Sequence, residues 1–136
     1  MTKTLYYLLP DSGNTSGSAA LSELAKLPGW EKTEEFFAEA KTVRLPHVGE
    51  ALAASMPKGA SASGFICGEV PSTFDLAWQL TGQGLLPYWG FVLAARQTSG
   101  RGQLRRAWVS EPGNLYVSFR LPDDLNTEAG ALLTGY

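Results

Sequence analysis

Residues 94–108 of the chain read AARQTSGRGQLRRAW, and residues 113–118 follow closely with GNLYVS. The first stretch leaves an apolar strand, passes through a loop dense in glycine and arginine, and ends where the next strand begins. Four of the five arginines after residue 60 lie between positions 96 and 106. Glycine lets backbone N–H groups approach an anion closely, and guanidinium groups bind phosphate oxygens in pairs. The sequence therefore predicts a hairpin whose mobile loop, residues 98–107, folds over a phosphate.

Strand and helix signals continue on both sides of this hairpin. Residues 91–97 are apolar and aromatic enough for a buried strand, and residues 115–121 alternate as a strand should. Further back, residues 64–69 are predicted as a strand. A helix capped by Ser72 or Thr73 follows, because a hydroxyl can accept a first-turn N–H there.

Residues 1–60 are predicted to form an N-terminal extension that packs on the core or precedes it. A strand candidate at residues 4–9 ends at Pro10. Three stretches are predicted as helices: residues 19–27 behind a Ser18 cap, residues 31–41, and residues 48–55. Residues 57–64 are rich in proline, glycine and serine and mark the boundary, so the second unit covers residues 61–136.

The composition is that of an ordinary globular domain, and it excludes several functions. The net charge is −2, so no overall positive field attracts nucleic acid or an anionic membrane. The single histidine, His47, and the single cysteine, Cys67, leave no set of zinc ligands. The apolar neighbours of Cys67 indicate a small buried residue. We find no signal peptide or membrane-spanning run, which predicts a cytoplasmic protein.

The hairpin carries a resemblance to a known family. The pattern Q-x-x-G-R-G-x-x-x-R-x-W runs from Gln97 to Trp108, and N-L-Y-x-S follows at residues 114–118. Together they resemble the adenylate-binding loop and next strand of the biotin protein ligase and lipoate protein ligase family. The resemblance covers residues 64–136, about the first half of that catalytic domain. It implies an α+β fold with a mixed, mainly antiparallel sheet and flanking helices, similar to the class II aminoacyl-tRNA synthetase and biotin synthetase core.

The resemblance also implies which residues bind substrate. The family places the serine and threonine of a Ser-Thr-x-Asp sequence in the pocket for the vitamin head group, and Ser72 and Thr73 match them. Phe74 replaces the frequent asparagine, and a capping role alone would also explain the pair. The implied substrate-binding set is Ser72, Thr73, Gln97, Gly100, Arg101, Gly102, Arg105, Arg106 and Trp108.

The implied chemistry is adenylation with ATP and Mg²⁺. The carboxylate of biotin or lipoate attacks the α-phosphorus of ATP, and a lysine of an acceptor protein then attacks the acyl adenylate. The family's catalytic lysine lies in a downstream Lys-Trp-Pro-Asn-Asp motif that this chain lacks, so a completing chain or a second copy is a further expected partner. Gln103 and Arg105 stand where many bacterial biotin ligases have an arginine and a third glycine.

Several alternatives remain open from the sequence. The chain is either a fragment or split half of such a ligase, or a short paralogue that binds biotin, lipoate or nucleotide without catalysis. An anion- or RNA-binding domain is a third alternative, which the lack of aromatic residues among the loop arginines disfavours. No DNA-binding winged helix is predicted in residues 1–60, because they contain no basic recognition helix. Residues 126–136 resemble the first turns of another helix, with Thr127 as its N-cap.

Overall fold

The computed structural model describes residues 3–10, 16–60, 62–101, 107–111 and 113–124, with the backbone alone at residues 101 and 107–110. Ten elements lie within these residues. In chain order they are β1 (Thr4–Leu8), α1 (Gly17–Ala25), α2 (Thr33–Phe36), β2 (Lys41–Leu45), β3 (Gly49–Ser55), β4 (Gly64–Val70), α3 (Thr73–Gly82), β5 (Phe91–Arg101), β6 (Ala107–Ser110) and β7 (Tyr116–Phe119).

Seven strands of the described chain form one mixed sheet. The strand order is β2–β3–β1–β4–β5–β6, and β7 pairs with β5 as well. The pairs β1–β4 and β4–β5 are parallel. The four other pairs are antiparallel. The prediction of an α+β fold with a mixed, mainly antiparallel sheet is therefore confirmed, while its likeness to the synthetase core stays a prediction.

One face of the sheet is covered by α1 and α2. Leu21 and Leu24 of α1 and Phe37 after α2 pack with Tyr7 of β1 and Ile66 of β4 in one buried cluster. Because successive residues of a strand point to opposite faces of the sheet, the side chains next to Tyr7 and Ile66 in β1 and β4 point to the other face.

The opposite face is covered by α3. This helix is the crossover connection between the parallel strands β4 and β5. Leu80 of α3 and Leu86 after it pack on Phe65 of β4 and Val92 of β5, and all four side chains are fully buried. The predicted strand–helix–strand order of residues 64–97 is confirmed. The helix begins where β4 ends, so its first turn lies at the carboxyl end of β4 and beside Gln97 of β5.

The first helix begins earlier than predicted. Ser16, and not Ser18, is the N-cap of α1, and its hydroxyl accepts a hydrogen bond from the backbone N–H of Ala19 at 3.2 Å. Ser18 lies inside the first turn, where its hydroxyl is 3.3 Å from that of Ser16. The helix then stops at Ala25 instead of Leu27, ahead of Pro28, whose ring cannot continue a helix.

Two further helix predictions in residues 1–60 were wrong. The helix predicted over residues 31–41 is a single short turn, α2, and Lys41 already begins β2. The helix predicted over residues 48–55 is the strand β3, in spite of its alanines. Residues 49–55 pair with β1 on one side and with β2 on the other, so tertiary pairing overrides the helix propensity of alanine.

The strand β5 is longer than predicted and shortens the hairpin loop. Its first half, Phe91 to Ala94, pairs with β7, and its second half, Gln97 to Arg101, pairs with β6. Residues 98–101, predicted as loop, are therefore strand, and the backbone N–H of Ser99 also donates to the carbonyl of Pro71 at 2.8 Å. Residues 102–106 lie outside the described residues, as does the helix predicted at residues 126–136.

Candidate functional site

The site begins at the first turn of α3. Ser72 has an extended backbone, and its hydroxyl accepts from the backbone N–H of Asp75 at 3.4 Å. Ser72 and Thr73 are 5% and 4% exposed, which is unusual for hydroxyl side chains at a helix start. The predicted cap is confirmed at Ser72, and the burial of both residues indicates that they face the protein interior.

Thr73 connects α3 to the neighbouring strand β5. The side-chain oxygen Oε1 of Gln97 accepts from the backbone N–H of Thr73 at 2.9 Å and from its Oγ1 hydroxyl at 3.1 Å. The first N–H groups of a helix lack a partner within the helix, so the amide oxygen satisfies one of them. These two bonds fix the Gln97 carboxamide with its oxygen turned toward the helix.

A third side chain extends this network from β7. The hydroxyl of Ser118 lies 2.9 Å from the Thr73 hydroxyl. A hydroxyl has one proton to donate, and because Thr73 Oγ1 donates to Gln97 it accepts from Ser118. The hydrogen bonds therefore run from Ser118 through Thr73 to Gln97, and we call these three residues the Thr73 cluster.

The sequence-based set of site residues is thus brought together in part. Ser72, Thr73 and Gln97 are neighbours in space, although Gln97 lies 24 residues from Thr73 in the chain. Ser118 was missed, and it lies 45 residues away from Thr73. The signal that could have found it is its position as the last residue of the N-L-Y-x-S pattern, which sequence reasoning treated as strand alone.

The hairpin stem leads from this cluster toward the predicted phosphate loop. Gly100 is buried and pairs with Trp108, and Arg101 pairs with Ala107. The two strands that flank the predicted loop are therefore confirmed. Of Arg101 and Trp108 the structure describes the backbone alone. The predicted site residues Gly102, Arg105 and Arg106, together with Gln103, lie outside the described residues.

Two further chemical groups lie on the described parts of β4 and β5, namely the thiol of Cys67 and the ion pair of Glu69 with Arg96. Burial raises the pKa of Cys67 from 9.0 to about 12, so its thiol stays protonated at neutral pH. The thiol lies 3.6 Å from the carbonyl of Leu93, which confirms Cys67 as a packed core residue. Glu69 and Arg96 form an ion pair at 4.0 Å, and both side chains are more than half exposed, so water screens their attraction.

An apolar groove adjoins the Thr73 cluster on the outer side of α3. It encloses about 300 Å³ between α3 and the end of β7. Its walls include Phe74 and Trp78, whose rings meet edge to face with centroids 6.1 Å apart. Ser118 belongs to both the groove and the Thr73 cluster. We call this cavity the α3 groove.

A larger cavity of about 420 Å³ lies on the opposite face of the sheet, beside α2. Trp30, Ile66 and Leu93 line it, together with residues 113–115 of the turn before β7. Since Ile66 and Leu93 pack with the α1 and α2 side of the sheet, this cavity is separated from the Thr73 cluster by the sheet itself.

Comparison with known proteins identifies the family of the chain. A sequence model of the Biotin/lipoate A/B protein ligase family matches residues 68–136, which are 69 of the 136 residues of the chain. The matched range contains the whole Thr73 cluster and both strands of the hairpin. No curated protein matches the chain. The sequence pattern and the family match agree, and the chain belongs to the biotin/lipoate A/B protein ligase family.

Proposed function

We propose that this chain takes part in the ATP-dependent activation of biotin or lipoate and its transfer to a lysine of an acceptor protein. The carboxylate oxygen forms a bond to the α-phosphorus of ATP while the bond to pyrophosphate breaks. The lysine amine then attacks the acyl carbonyl, AMP departs with the bonding electrons, and the amine loses a proton. The observation that carries the proposal is the Thr73 cluster, which links the buried Thr73 at the start of α3 to Ser118 of β7 and to Gln97 of β5, the strand that leads into the glycine and arginine loop.

The Thr73 cluster suits the recognition of a polar head group. Its members are held by one another and by the first turn of α3, so their orientation is set before a ligand arrives. Ser72 and Thr73 are buried, where a hydrogen bond to a ligand is stronger than in water. We assign Ser72, Thr73 and Gln97 to the vitamin side of the site.

The hairpin suits the phosphates of the nucleotide. Gly100 is buried in the stem, where a side chain would separate the backbone from an anion, and guanidinium groups follow it along the chain. We assign Gly100, Arg101, Gly102, Arg105 and Arg106 to the phosphates of ATP and of the acyl adenylate. The indole of Trp108 is assigned to the adenine side, where an aromatic ring can stack on the base.

The implied magnesium ion would be held mainly by the phosphates of the nucleotide. The described residues contain no group of three or more histidine, cysteine, aspartate or glutamate side chains that could hold a metal. Mg²⁺ commonly binds phosphate oxygens and water with one or two protein carboxylates, so it needs no protein cage. We therefore assign the ion to the phosphates of ATP, where it would neutralise negative charge on the pyrophosphate.

We also propose that residues 61–136 are the ligase-like unit and that residues 1–60 are an extension packed on it. The position of β1 between β3 and β4 supports packing of the extension on the core. We also propose a cytoplasmic location, and this proposal rests on the sequence. No helix in the described ranges is long and apolar enough to span a membrane.

The proposal is tested by ATP–pyrophosphate exchange, with biotin, lipoate and octanoate each supplied alone to the product of the complete gene. Exchange that depends on one of these acids is the expected result. Ligand binding without any exchange would support the non-catalytic paralogue. Neither binding nor exchange with any of the three acids would contradict the assignment.

Arg101→Ala separates a phosphate contact from a structural role. We expect weaker binding of ATP or of the acyl adenylate by about tenfold, the usual cost of a charged hydrogen bond. The melting midpoint should stay nearly unchanged. Arg44→Ala, on the exposed edge strand β2, is the matched control and should leave both quantities unaltered. A collapse of thermal stability in Arg101→Ala would show that the arginine is structural.

A further inference from the structure

The cavity of about 420 Å³ beside α2 is built by two separate parts of the chain, and we call it the α2 cavity. Leu5, Ile66 and Leu93 form its floor on the neighbouring strands β1, β4 and β5. Its other lining residues come from residues 28–37, around α2, and from residues 113–115, before β7. The wall around α2 therefore lies outside the range that the family model matches.

The lining of the α2 cavity is mainly aromatic and apolar. Trp30, Phe36 and Phe37 line it, and the rings of Phe36 and Phe37 meet edge to face with centroids 5.3 Å apart. Leu115 lines it as well and is 74% exposed, so it stands at the rim. Cavities of about 300–1,000 Å³ with such a lining are typical of small-molecule sites. The lining therefore favours a small ligand with an apolar body.

The wall around α2 is fixed by contacts within the protein. The backbone N–H of Trp30 donates to the carbonyl of Leu27 at 3.0 Å, and the hydroxyl of Thr33 donates to the carbonyl of Trp30 at 2.8 Å. The Phe37 side chain is buried, and its ring centroid lies 6.1 Å from that of Tyr7. A ligand therefore enters a cavity that is already formed, which lowers the entropic cost of binding.

The polar groups at the α2 cavity select the charge of the ligand. Among the described residues that line it, Lys32 is the only charged one. Its side chain is exposed, and no ion pair joins it to another described residue. The neighbouring carboxylate of Glu31 accepts from the backbone N–H of Gly29 at 3.2 Å and does not line the cavity. The ammonium group of Lys32 therefore complements a carboxylate on the ligand.

We propose that the α2 cavity binds a small carboxylic acid with an apolar body, at a site separate from the Thr73 cluster. The apolar body lies on the floor of the cavity, and the carboxylate faces Lys32 at the rim. Such a ligand contacts both parts of the chain that build the cavity, so its binding stabilises their packing. Binding involves no covalent step, and the proposal does not depend on the proposed ligase activity.

The test is a chemical-shift titration of the full chain by nuclear magnetic resonance with 4-phenylbutanoate as the probe. The alcohol 4-phenylbutan-1-ol and the amine 4-phenylbutylamine are the matched neutral and cationic probes. We expect the acid to bind with a dissociation constant of about 1 mM, the alcohol more weakly and the amine most weakly. The acid should shift the indole N–H resonance of Trp30, which the variant Trp30→Phe identifies.

Two pairs of variants locate the bound acid. Lys32→Gln should weaken the acid by about two- to fivefold and leave the alcohol unchanged, whereas Lys58→Gln, away from the cavity, should alter neither. Leu115→Asp adds a negative charge at the rim and should weaken the acid by about tenfold or more. Phe119→Asp makes the same change at an exposed position outside the cavity and should leave binding unaltered.

Three results would overturn the proposal. An acid that does not shift the Trp30 resonance in a saturable way does not bind in the α2 cavity. Equal affinities for the acid and the amine would mean that Lys32 does not select the charge. Equal losses in Leu115→Asp and Phe119→Asp would show that the acid binds without using the rim of the cavity.

Discussion

Thr73 is the residue on which the candidate site depends most directly, since it bonds to both other members of its cluster. Thr73→Val keeps the shape of the side chain and the backbone N–H, but it removes the hydroxyl that serves Gln97 and Ser118. Because it leaves a buried polar partner less satisfied, we expect a loss of about 1–2 kcal/mol in the free energy of unfolding. Urea denaturation measures this loss.

The control for Thr73→Val is Thr81→Val at the other end of the same helix. Thr81 is half-buried, and its change should alter the free energy of unfolding by less than about 0.5 kcal/mol. Binding of the vitamin acid should weaken in Thr73→Val alone. Equal urea midpoints for the two variants would contradict a special role for the Thr73 hydroxyl.

The raised pKa values of two buried residues, Cys67 and Tyr7, predict how the stability of the fold changes at alkaline pH. Burial raises the pKa of Cys67 from 9.0 to about 12. The pKa of Tyr7 rises from 10.0 to about 12 for the same reason, with the neighbouring Cys67 as a second cause. The folded state thus binds both protons more tightly than the unfolded chain. The stability contributed by these groups is fully present below about pH 9 and is lost as the pH rises toward 12.

We expect the free energy of unfolding to fall between about pH 9 and pH 12, by up to about 1.4 kcal/mol per pH unit for each group. Chemical denaturation at a series of pH values measures the slope. Cys67→Ala is less stable at neutral pH because it leaves a small cavity. Its slope above pH 9 should nevertheless be shallower, and an unchanged slope would rule out the thiol as a cause.

At the scale of elements, local signals predicted the parts that carry the site. The run from β4 through α3 to β5 has an apolar strand, a capped helix and a second apolar strand, so each local preference agrees with the fold. The strand β3 was mispredicted because Ala51 and Ala54 favour a helix locally, while their partners in β1 and β2 lie elsewhere in the chain.

The Thr73 cluster lies beyond what periodicity can predict. Its residues come from α3, β5 and β7, and their contact depends on the register of strands that pair across the sheet. Ser118 faces α3 because Ser118 pairs with Val92, which packs on the same helix. A shift of one residue in that pairing would turn Ser118 to the opposite face, and no local sequence signal records the register.

The start of α1 gives a test at this scale, since two serines compete for the cap. Ser16→Ala removes the oxygen that accepts from Ala19, and we expect a loss of about 1 kcal/mol in the free energy of unfolding. Ser18→Ala, two residues on, should change it by less than about 0.5 kcal/mol. Thermal denaturation of both variants decides the matter. A larger loss in Ser18→Ala would restore the original sequence-based prediction.

At the scale of the whole molecule, the sheet joins both parts of the chain. The family match begins at residue 68, inside β4, yet β4 pairs in parallel with β1 through Leu5, Tyr6 and Tyr7. Tyr7 also packs with α1 and Phe37 on the face of β4. Residues 1–60 therefore supply both a pairing strand and a covering layer for the proposed ligase-like unit, residues 61–136, and we expect this unit to depend on them.

This dependence predicts the behaviour of residues 61–136 produced alone. Without β1, one edge of β4 has unpaired backbone groups, and without α1 the side chains of Ile66 and Ala95 face water. We therefore expect the isolated unit to lose its cooperative thermal transition, measured by circular dichroism, while the full chain retains one. Coexpression with residues 1–60 should restore the transition, because pairing between β1 and β4 needs no covalent link. A cooperative transition at the same temperature in the isolated unit would show instead that residues 61–136 are stable without residues 1–60.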